Sequence, residues 1–583
     1  MELINIKAAR SNLDLYDNIE ILEDIFEFHE RYFIKISIRI DESQSSFVPL
    51  ITNWHVKFGE NKVDFYPSKD RGITATFQHQ SLNYDAGEEY PFLMGKLCLD
   101  RPIHVFDNQS FKYLPADYSE RFLWYLNRAI KWITLAAKNA LVREGDPFEL
   151  PEIPLRKKNE FLYKENDLDK WRNFTYNYGF AQIDKMQSTD RQYYVLRELY
   201  DVNYEEARGT LFWGNYFENL VNVSRYSMWV KLQKPPIMQP WMFPKTWEDL
   251  FNLCNEQGIE IKKILRSLLI KSEMLSAGKF LAIAFTIPKF YGGEDKIVSW
   301  LFIDLPEFKY PQKGFRQNIS VKAKYYIDRL KGVLSYYDSE NLDTTTLFSR
   351  GQINPQIAQQ DMAIIGLGAL GSMLSEVLSR IGVESLSLYD SDVFLFSNSA
   401  RHILNLDSNG KNKSQQIKEK IIKNNPNLQV KCYSYLTLDN IRSLEKNDIV
   451  IDCSASSEVL SVLNTYTFKK DKLFVIASMN YGATDFIIYF YKGKKFDNED
   501  YSKKILPIYK KLMEKLNLKE KDLIMQGIGC YHPIFPARFD DVSMWANMLI
   551  KTIELKYIRD FTRGCVHLRR NNLSVEVVNE WEN

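Results

Sequence analysis

From about residue 341 onward, short apolar runs alternate with amphipathic stretches. Met362–Ile365 reads as a strand, Ala369–Ile381 as a helix and Ser385–Asp390 as a strand. Lys413–Asn424 has helical spacing, while Leu428–Tyr435, Asp448–Cys453, Leu473–Ser478 and Asp485–Tyr491 are strand-like. Strands that alternate with helices predict a Rossmann-like α/β domain, 341–583, built on a mostly parallel sheet. Upstream, Phe33–Ile40, His55–Tyr66 and Thr74–Gln78 read as strands, and Ser119–Val142 is patterned as a helix. The prolines of GDPFELPEIP then mark a boundary. An α+β domain over 1–158 is expected. Residues 159–340 form a mixed α/β block with a helical run near Trp247–Ala277 and two strand-like runs, KFLAIAFTIP and IVSWLFIDLP. It carries no chemical motif and is expected to connect or scaffold.

Length supports this division, since 583 residues make about three domains of ordinary size. A formal charge of +1 gives no electrostatic case for nucleic acid or a membrane surface as the main partner. No apolar run approaches the ~18 residues of a membrane span. Acidic residues stand near the N-terminus where a signal peptide carries a basic start, so a cytoplasmic location is expected. The six cysteines, Cys98, Cys254, Cys432, Cys453, Cys530 and Cys565, include no CxxC pair. That argues against a cysteine zinc site or a disulfide framework.

The strongest chemistry lies where strand MAII runs into GLGALGS and then a helix. Gly366 is placed for the tight turn, Gly368 for backbone approach to a phosphate, and Gly371 for close helix–strand packing. The helix N-terminus offers N–H groups to an anion. Asp390, after the next strand, is placed to accept from a ribose hydroxyl. To this point NAD, FAD and ATP all remain open. Asn398, Arg401 and Lys413 follow closely. Hydride transfer has no use for such a cluster. Joining a carboxylate to the α-phosphate of ATP does, because two anions must meet and pyrophosphate must leave. Asp452, ending the strand IVID, is a carboxylate able to hold Mg²⁺. Taken singly, Arg401 and Lys413 could equally be a solvated face.

The ordered set FSRGQ, GLGALGS, YDSDVFLFSNSAR, GKNK and IDCSAS resembles the adenylation domain shared by ubiquitin-activating enzymes and the bacterial ThiF/MoeB/HesA proteins. The resemblance implies ATP and Mg²⁺ as cofactors, with Asp390 on ribose and Asn398, Arg401 and Lys413 on phosphates. It assigns the metal to Asp452 and the γ-phosphate to Arg350, from the same chain or from the other subunit of a homodimer formed through the activating domains. Two departures stand out. The last motif lacks the usual second acidic or Asn residue after Asp452, and the zinc-binding CxxC pairs of sulfur-carrier activators are missing.

An acyl adenylate is readily captured by a thiolate. Cys530, in the Gly- and Pro-containing GIGCYHPIFPARFDDV, resembles the thioester-forming cysteine of that family, with a structural turn cysteine as the alternative. Cys98 lies in EEYPFLMGKLCLDRP, downstream of TFQHQSLN. With the helix ending in GDPFELP, these segments resemble bacterial ubiquitin-conjugating-enzyme-like domains. The resemblance implies that Cys98 accepts the acyl group from Cys530 and passes it to an amine. No His-Pro-Asn tripeptide precedes it, so the oxyanion donor stays unassigned. His79 is a candidate for a local polar role, with a structural one as the alternative, and Asp100 and His104 are weaker candidates.

A conjugating-like domain ahead of an activating domain resembles the fused proteins of bacterial cyclic-oligonucleotide-based antiphage signalling (CBASS) operons. That family implies a protein partner presenting its C-terminus, a cGAS/DncV-like nucleotidyltransferase or a ubiquitin-like protein, and lysine-bearing targets. Activation of a sulfur carrier for cofactor synthesis, or a non-catalytic partner-binding scaffold, are the alternatives. An NAD oxidoreductase ranks last.

Overall fold

The computed structural model describes residues 3–100, 114–154, 156–165, 168–173, 175–187, 192–205, 213–218, 222–272, 277–307, 318–516, 525–526, 532–533, 536–559 and 561–583. The chain divides into two compact units, one of residues 1–211 and 222–341, the other of 212–221 and 342–583. The fold class is the one read from the sequence: α+β and α/β domains ending in a Rossmann-like sheet. Among the described residues, no helix is long and apolar enough to cross a membrane.

The first unit opens with an antiparallel meander, β1 (Ile19–Phe28), β2 (Arg31–Arg39), β3 (Ile51–Phe58) and β4 (Val63–Pro67). Helix α1 (Leu3–Ser11) packs beside α2 (Tyr118–Ala137). Asp117 caps α2 by accepting from the Glu120 N–H. Phe122, Leu126, Ala129, Ile133 and Ala136 follow at helical spacing and are fully buried. Trp132 meets Trp54 of β3 edge to face, 6.5 Å between centroids.

Three expectations need correction here. The run His55–Tyr66 is a hairpin, because the Gly59 N–H closes a turn on the Lys62 carbonyl. The helix expected to reach Val142 stops at Ala137, with Asn139 at a φ of +53°. Thr74–Gln78 is not a strand. Side chains take its backbone groups instead: Asn83 donates to the Ile73 and Ala75 carbonyls, and Gln80 accepts from the Phe77 N–H.

The rest of this unit holds a closed barrel of β5 (Arg156–Tyr163), β6 (Tyr178–Gln187), β7 (Gln192–Tyr200), β8 (Asn222–Lys231), β9 (Ala277–Pro288), β10 (Lys296–Asp304) and β11 (Tyr336–Asn341). Its order is β10-β11-β5-β7-β6-β8-β9. Aromatic rings fill one core, with Phe161 stacked 4.0 Å from Phe302. The single helix expected near Trp247–Ala277 is two, α3 (Trp247–Glu256) and α4 (Ile261–Lys271). Gly258, at a φ of +74°, turns the chain between them.

The second unit is an eight-stranded sheet. Its strands are β12 (Asp361–Ile365), β13 (Ser385–Tyr389), β14 (Gln429–Tyr433), β15 (Ile449–Asp452), β16 (Lys472–Met479), β17 (Asp485–Gly493), β18 (Arg563–Asn571) and β19 (Ser574–Glu582). They lie in the order β14-β13-β12-β15-β16-β17-β18-β19. The first five pair in parallel and the last three add antiparallel. Helix α5 (Ala369–Arg380) follows β12, α6 (Lys413–Ile421) precedes β14, and α7 (Phe539–Tyr557) packs on α5.

Residues 213–218 belong to this unit although they fall between β7 and β8 of the barrel. They lie along the β14 edge. Gly214 donates to the Pro426 carbonyl and Asn215 to the Leu428 carbonyl, while the Val430 N–H donates to the Asn215 side chain at 2.6 Å.

Candidate nucleotide site

The chain leaves β12 toward β13 and β14 on one side, and reaches β15 and β16 on the other. The strand order therefore reverses between β12 and β15, where open α/β sheets bind ligands beyond their carboxyl ends. A cavity of about 250 Å³ lies at that position. Gly368, Ala369 and Leu370 line it at the start of α5, Asn398, Arg401, His402 and Lys413 from the loop and helix beyond β13, and Cys453 and Ala455 beyond β15. The end of β16 closes it with Ala477, Ser478 and Met479.

The loop is built as its glycines require. Gly366 sits at a φ of +81°, and a Cβ there would come within 2.6 Å of Ser454. A Cβ on Gly371 would stand 2.0 Å from the Gly366 carbonyl oxygen. Gly368 meets nothing within 4 Å, so its face is open to a ligand.

Asp390 is 7% exposed and does not line the cavity. One carboxylate oxygen accepts from the Leu367 N–H at 2.7 Å and the other from the Asp392 N–H at 2.7 Å. It braces the glycine loop, with lone pairs left over on each oxygen. Lys413 donates to Asp392 at 2.8 Å, which holds its ammonium at the cavity wall. The Asn398 side chain accepts from the Leu395 N–H at 3.1 Å.

His402 was not singled out by the sequence, yet it ties the two loops together. Leu404 donates to Nδ1 at 3.2 Å, so Nε2 carries the proton and donates to the Leu367 carbonyl at 2.8 Å. Burial, with Lys413 and Arg401 nearby, lowers its pKa to about 4, so the ring is neutral. Nothing in the spacing sets this histidine apart from a loop residue. Ser478 and Met479 were detectable in principle, because they end the parallel strand next to β15.

Asp452 ends β15, is 1% exposed and is not among the lining residues. It accepts from the Ser454 N–H and hydroxyl at 2.9 and 2.6 Å. Burial nevertheless raises its pKa to about 6, from an ordinary value of 3.8. A raised carboxyl binds its proton more tightly in the folded chain. Its contribution to stability is full below pH 4 and is lost as pH rises through 6, by about 3 kcal/mol. Asp452→Asn, which keeps an acceptor for Ser454, is therefore expected to raise the melting temperature at pH 7.5 and to leave it unchanged at pH 4. Equal shifts at both pH values would refute this.

Arg350 is exposed and lies at the other end of α5. The flanking Phe348 and Gln352 face Gly382, just past the helix C-terminus, and the Ile353 N–H donates to the Ile381 carbonyl. The 12 residues of α5 span about 18 Å. The structure thus brings Gly368, Asn398, Arg401 and Lys413 together, sets Gly366, Gly371, Asp390 and Asp452 behind them, and keeps Arg350 apart. Cys98 is half-buried in the first unit. Asp100 accepts from the Tyr125 hydroxyl of α2. Cys530 and His104 lie outside the described residues.

Residues 139–334 match the family of the Cap2 central linker domain, and residues 341–537 match the ThiF family. The ATP-dependent ubiquitin transferase-like protein Cap2 of Enterobacter hormaechei subsp. hoffmannii (strain UCI 50) is 27% identical over 546 residues, which cover 90% of this chain and 89% of that protein. This chain is Cap2-like, with a Cap2 linker and a ThiF domain. The molybdopterin-synthase adenylyltransferase of Escherichia coli (strain K12) is 31% identical over 108 residues, 18% of this chain and 43% of its own. The structure of E. coli MccB with ATP aligns with 38% of this chain and 65% of its own at 16% identity and a TM-score of 0.28.

Proposed function

We propose that this chain activates the C-terminal carboxylate of a partner protein with ATP and transfers the acyl group to an amine through two thioesters. The convergence of Arg401, Lys413, Asn398 and the α5 N-terminus on one cavity at the strand-order reversal carries this reading.

The partner's carboxylate oxygen attacks the α-phosphorus, and the bond to pyrophosphate breaks. Arg401 and Lys413 offset the charge of the meeting anions, and the free N–H groups at Gly368–Leu370 receive phosphate oxygens. Asp390 keeps the loop in register and remains able to accept from ribose. Mg²⁺ suits Asp452, because the ion takes one or two carboxylates beside phosphates and a cation would offset the charge that burial disfavours. When bound it would neutralise charge on the departing pyrophosphate. The Arg350 loop lies a helix length from its own cavity, so its arginine serves the site of a second copy in a homodimer.

Cys530 then takes the acyl group as a thioester, Cys98 receives it by exchange, and a lysine amine converts it to an amide. The resemblance of the whole chain to the antiphage fused proteins supports a cGAS/DncV-like nucleotidyltransferase as the partner that is attached and primed.

The test combines the chain with ATP, Mg²⁺ and a cGAS/DncV-like nucleotidyltransferase from the same genome. ATP–pyrophosphate exchange dependent on that partner's C-terminus, followed by a reductant-sensitive adduct, is expected. No exchange with the intact partner would reject the activity. Arg401→Ala is expected to slow exchange about 10²–10³-fold while leaving the melting temperature in place, because the side chain touches the cavity and not the core. Wild-type exchange in this variant would remove Arg401 from the site.

A further inference from the structure

His79 stands directly opposite Cys98. Gln80 and Leu97 form an antiparallel bridge, flanked by hydrogen bonds from the Ser81 N–H to the Lys96 carbonyl and from the Cys98 N–H to the His79 carbonyl, both 2.9 Å. Residues so paired lie about 5.5 Å apart at Cα. The segment around His79 is locked: Trp132 donates to the Gln78 carbonyl, and the Gln80 side chain bridges the Phe77 N–H and the Gly95 carbonyl.

Two features set His79 apart from a structural histidine. Its φ is +58°, which an L residue other than Gly adopts at a cost. Its side chain is only 10% exposed, and neither ring nitrogen makes a hydrogen bond among the described residues. A buried polar ring with no partner is destabilising, and structural histidines satisfy their nitrogens. The carboxylate of Glu149 lies 3.4 Å from Nδ1, close enough to pair with a protonated ring although not a hydrogen bond. That is the pairing of a base and its orienting acid, and Nε2, buried in this structure, is the ring nitrogen that Glu149 does not face.

We propose that His79 is the general base of the final transfer, a step that rests on Cys98 carrying the acyl group. The lysine nitrogen attacks the thioester carbonyl and a C–N bond forms, while its proton passes to the neutral imidazole. The C–S bond then breaks, the thiolate leaves on Cys98, and the imidazolium returns its proton to that sulfur or to water. Glu149 stabilises the imidazolium and is a positioning residue.

The test uses the full chain charged with ATP, Mg²⁺ and the same nucleotidyltransferase, then stripped of ATP and mixed with lysine or hydroxylamine. His79→Gly and His79→Asn suit the positive φ and should fold. Both are expected to charge Cys98 normally and to discharge to lysine about 10²-fold more slowly or worse. Hydroxylamine, which reaches the thioester unprotonated, should discharge them at the wild-type rate, and added imidazole should restore part of the lysine reaction in His79→Gly. Wild-type discharge to lysine, or equal slowing with both nucleophiles, would overturn the role of His79. A wild-type chain that forms no thioester at Cys98 would overturn the acyl-carrier reading and this inference with it. Normal charging with discharge impaired only toward lysine supports both.

Discussion

Cys530→Ala is expected to keep ATP–pyrophosphate exchange at the wild-type level and to lose every thioester and amide product. Exchange reports only the steps up to the adenylate, and Asn398, Arg401, Lys413 and the α5 N-terminus, assigned to those steps, line a cavity at the carboxyl ends of β12, β15 and β16. One thiol does stand in that wall, Cys453, and it is the natural rival for capturing the adenylate. Burial, helped by the neighbouring Asp452 charge, pushes the Cys453 thiol far above the ordinary range, so its thiolate is scarce at neutral pH. Cys453→Ala should therefore leave thioester formation intact. Cys98→Ala should stop the reaction one step later, with the adduct retained on Cys530. Intact-mass measurement with and without reductant separates the three variants. Amide product from Cys530→Ala would defeat the assignment.

The second large effect is expected at Gly371. An Ala methyl group would lie 2.0 Å from the Gly366 carbonyl oxygen, and the Gly366 backbone is pinned by the bond from its N–H to the Tyr389 carbonyl. Neither side of the clash is a flexible side chain. The helix and the loop must separate, at roughly 3 kcal/mol or more. For a unit of this size that lowers the melting temperature by roughly 6–12 °C. Nucleotide turnover should fall with it, because the same displacement moves the α5 N-terminus. Gly368→Ala is the matched control. Its Cβ meets nothing and its φ is −71°, so the melting temperature should hold while KM for ATP rises. If both variants melt alike, the packing argument fails.

The glycine loop and its sheet were legible because their signals are local. Each strand of the parallel core is a short apolar run beside a helix of fixed spacing, and Gly366 and Gly371 are required by distances within one turn. Arg401 and Lys413 were legible as a charge cluster. Asp390 was found, but its brace on the Leu367 N–H was not, since a carboxylate after a strand does not disclose which backbone group it meets. The barrel was illegible for a different reason. Closure joins β9 to β8 and β10 to β11 across long stretches of chain, and aromatic-rich runs such as those around Phe161 do not announce their partners. His79 carried a weak signal. Its left-handed backbone and the Gln80–Leu97 bridge depend on side chains of Gln80 and Asn83 that replace the strand expected at Thr74–Gln78.

The short piece at 213–218 bears on any attempt to study the catalytic half by itself. A fragment begun at residue 341 would contain every loop of the nucleotide cavity and still lack Asn215. The Val430 N–H would lose its acceptor and β14 would present bare backbone to solvent, the kind of edge on which separate molecules stack into insoluble ribbons. Poor solubility of such a fragment would then reflect a missing guard strip borrowed from the middle of the chain, and restoring that strip in trans as a peptide should return it to solution.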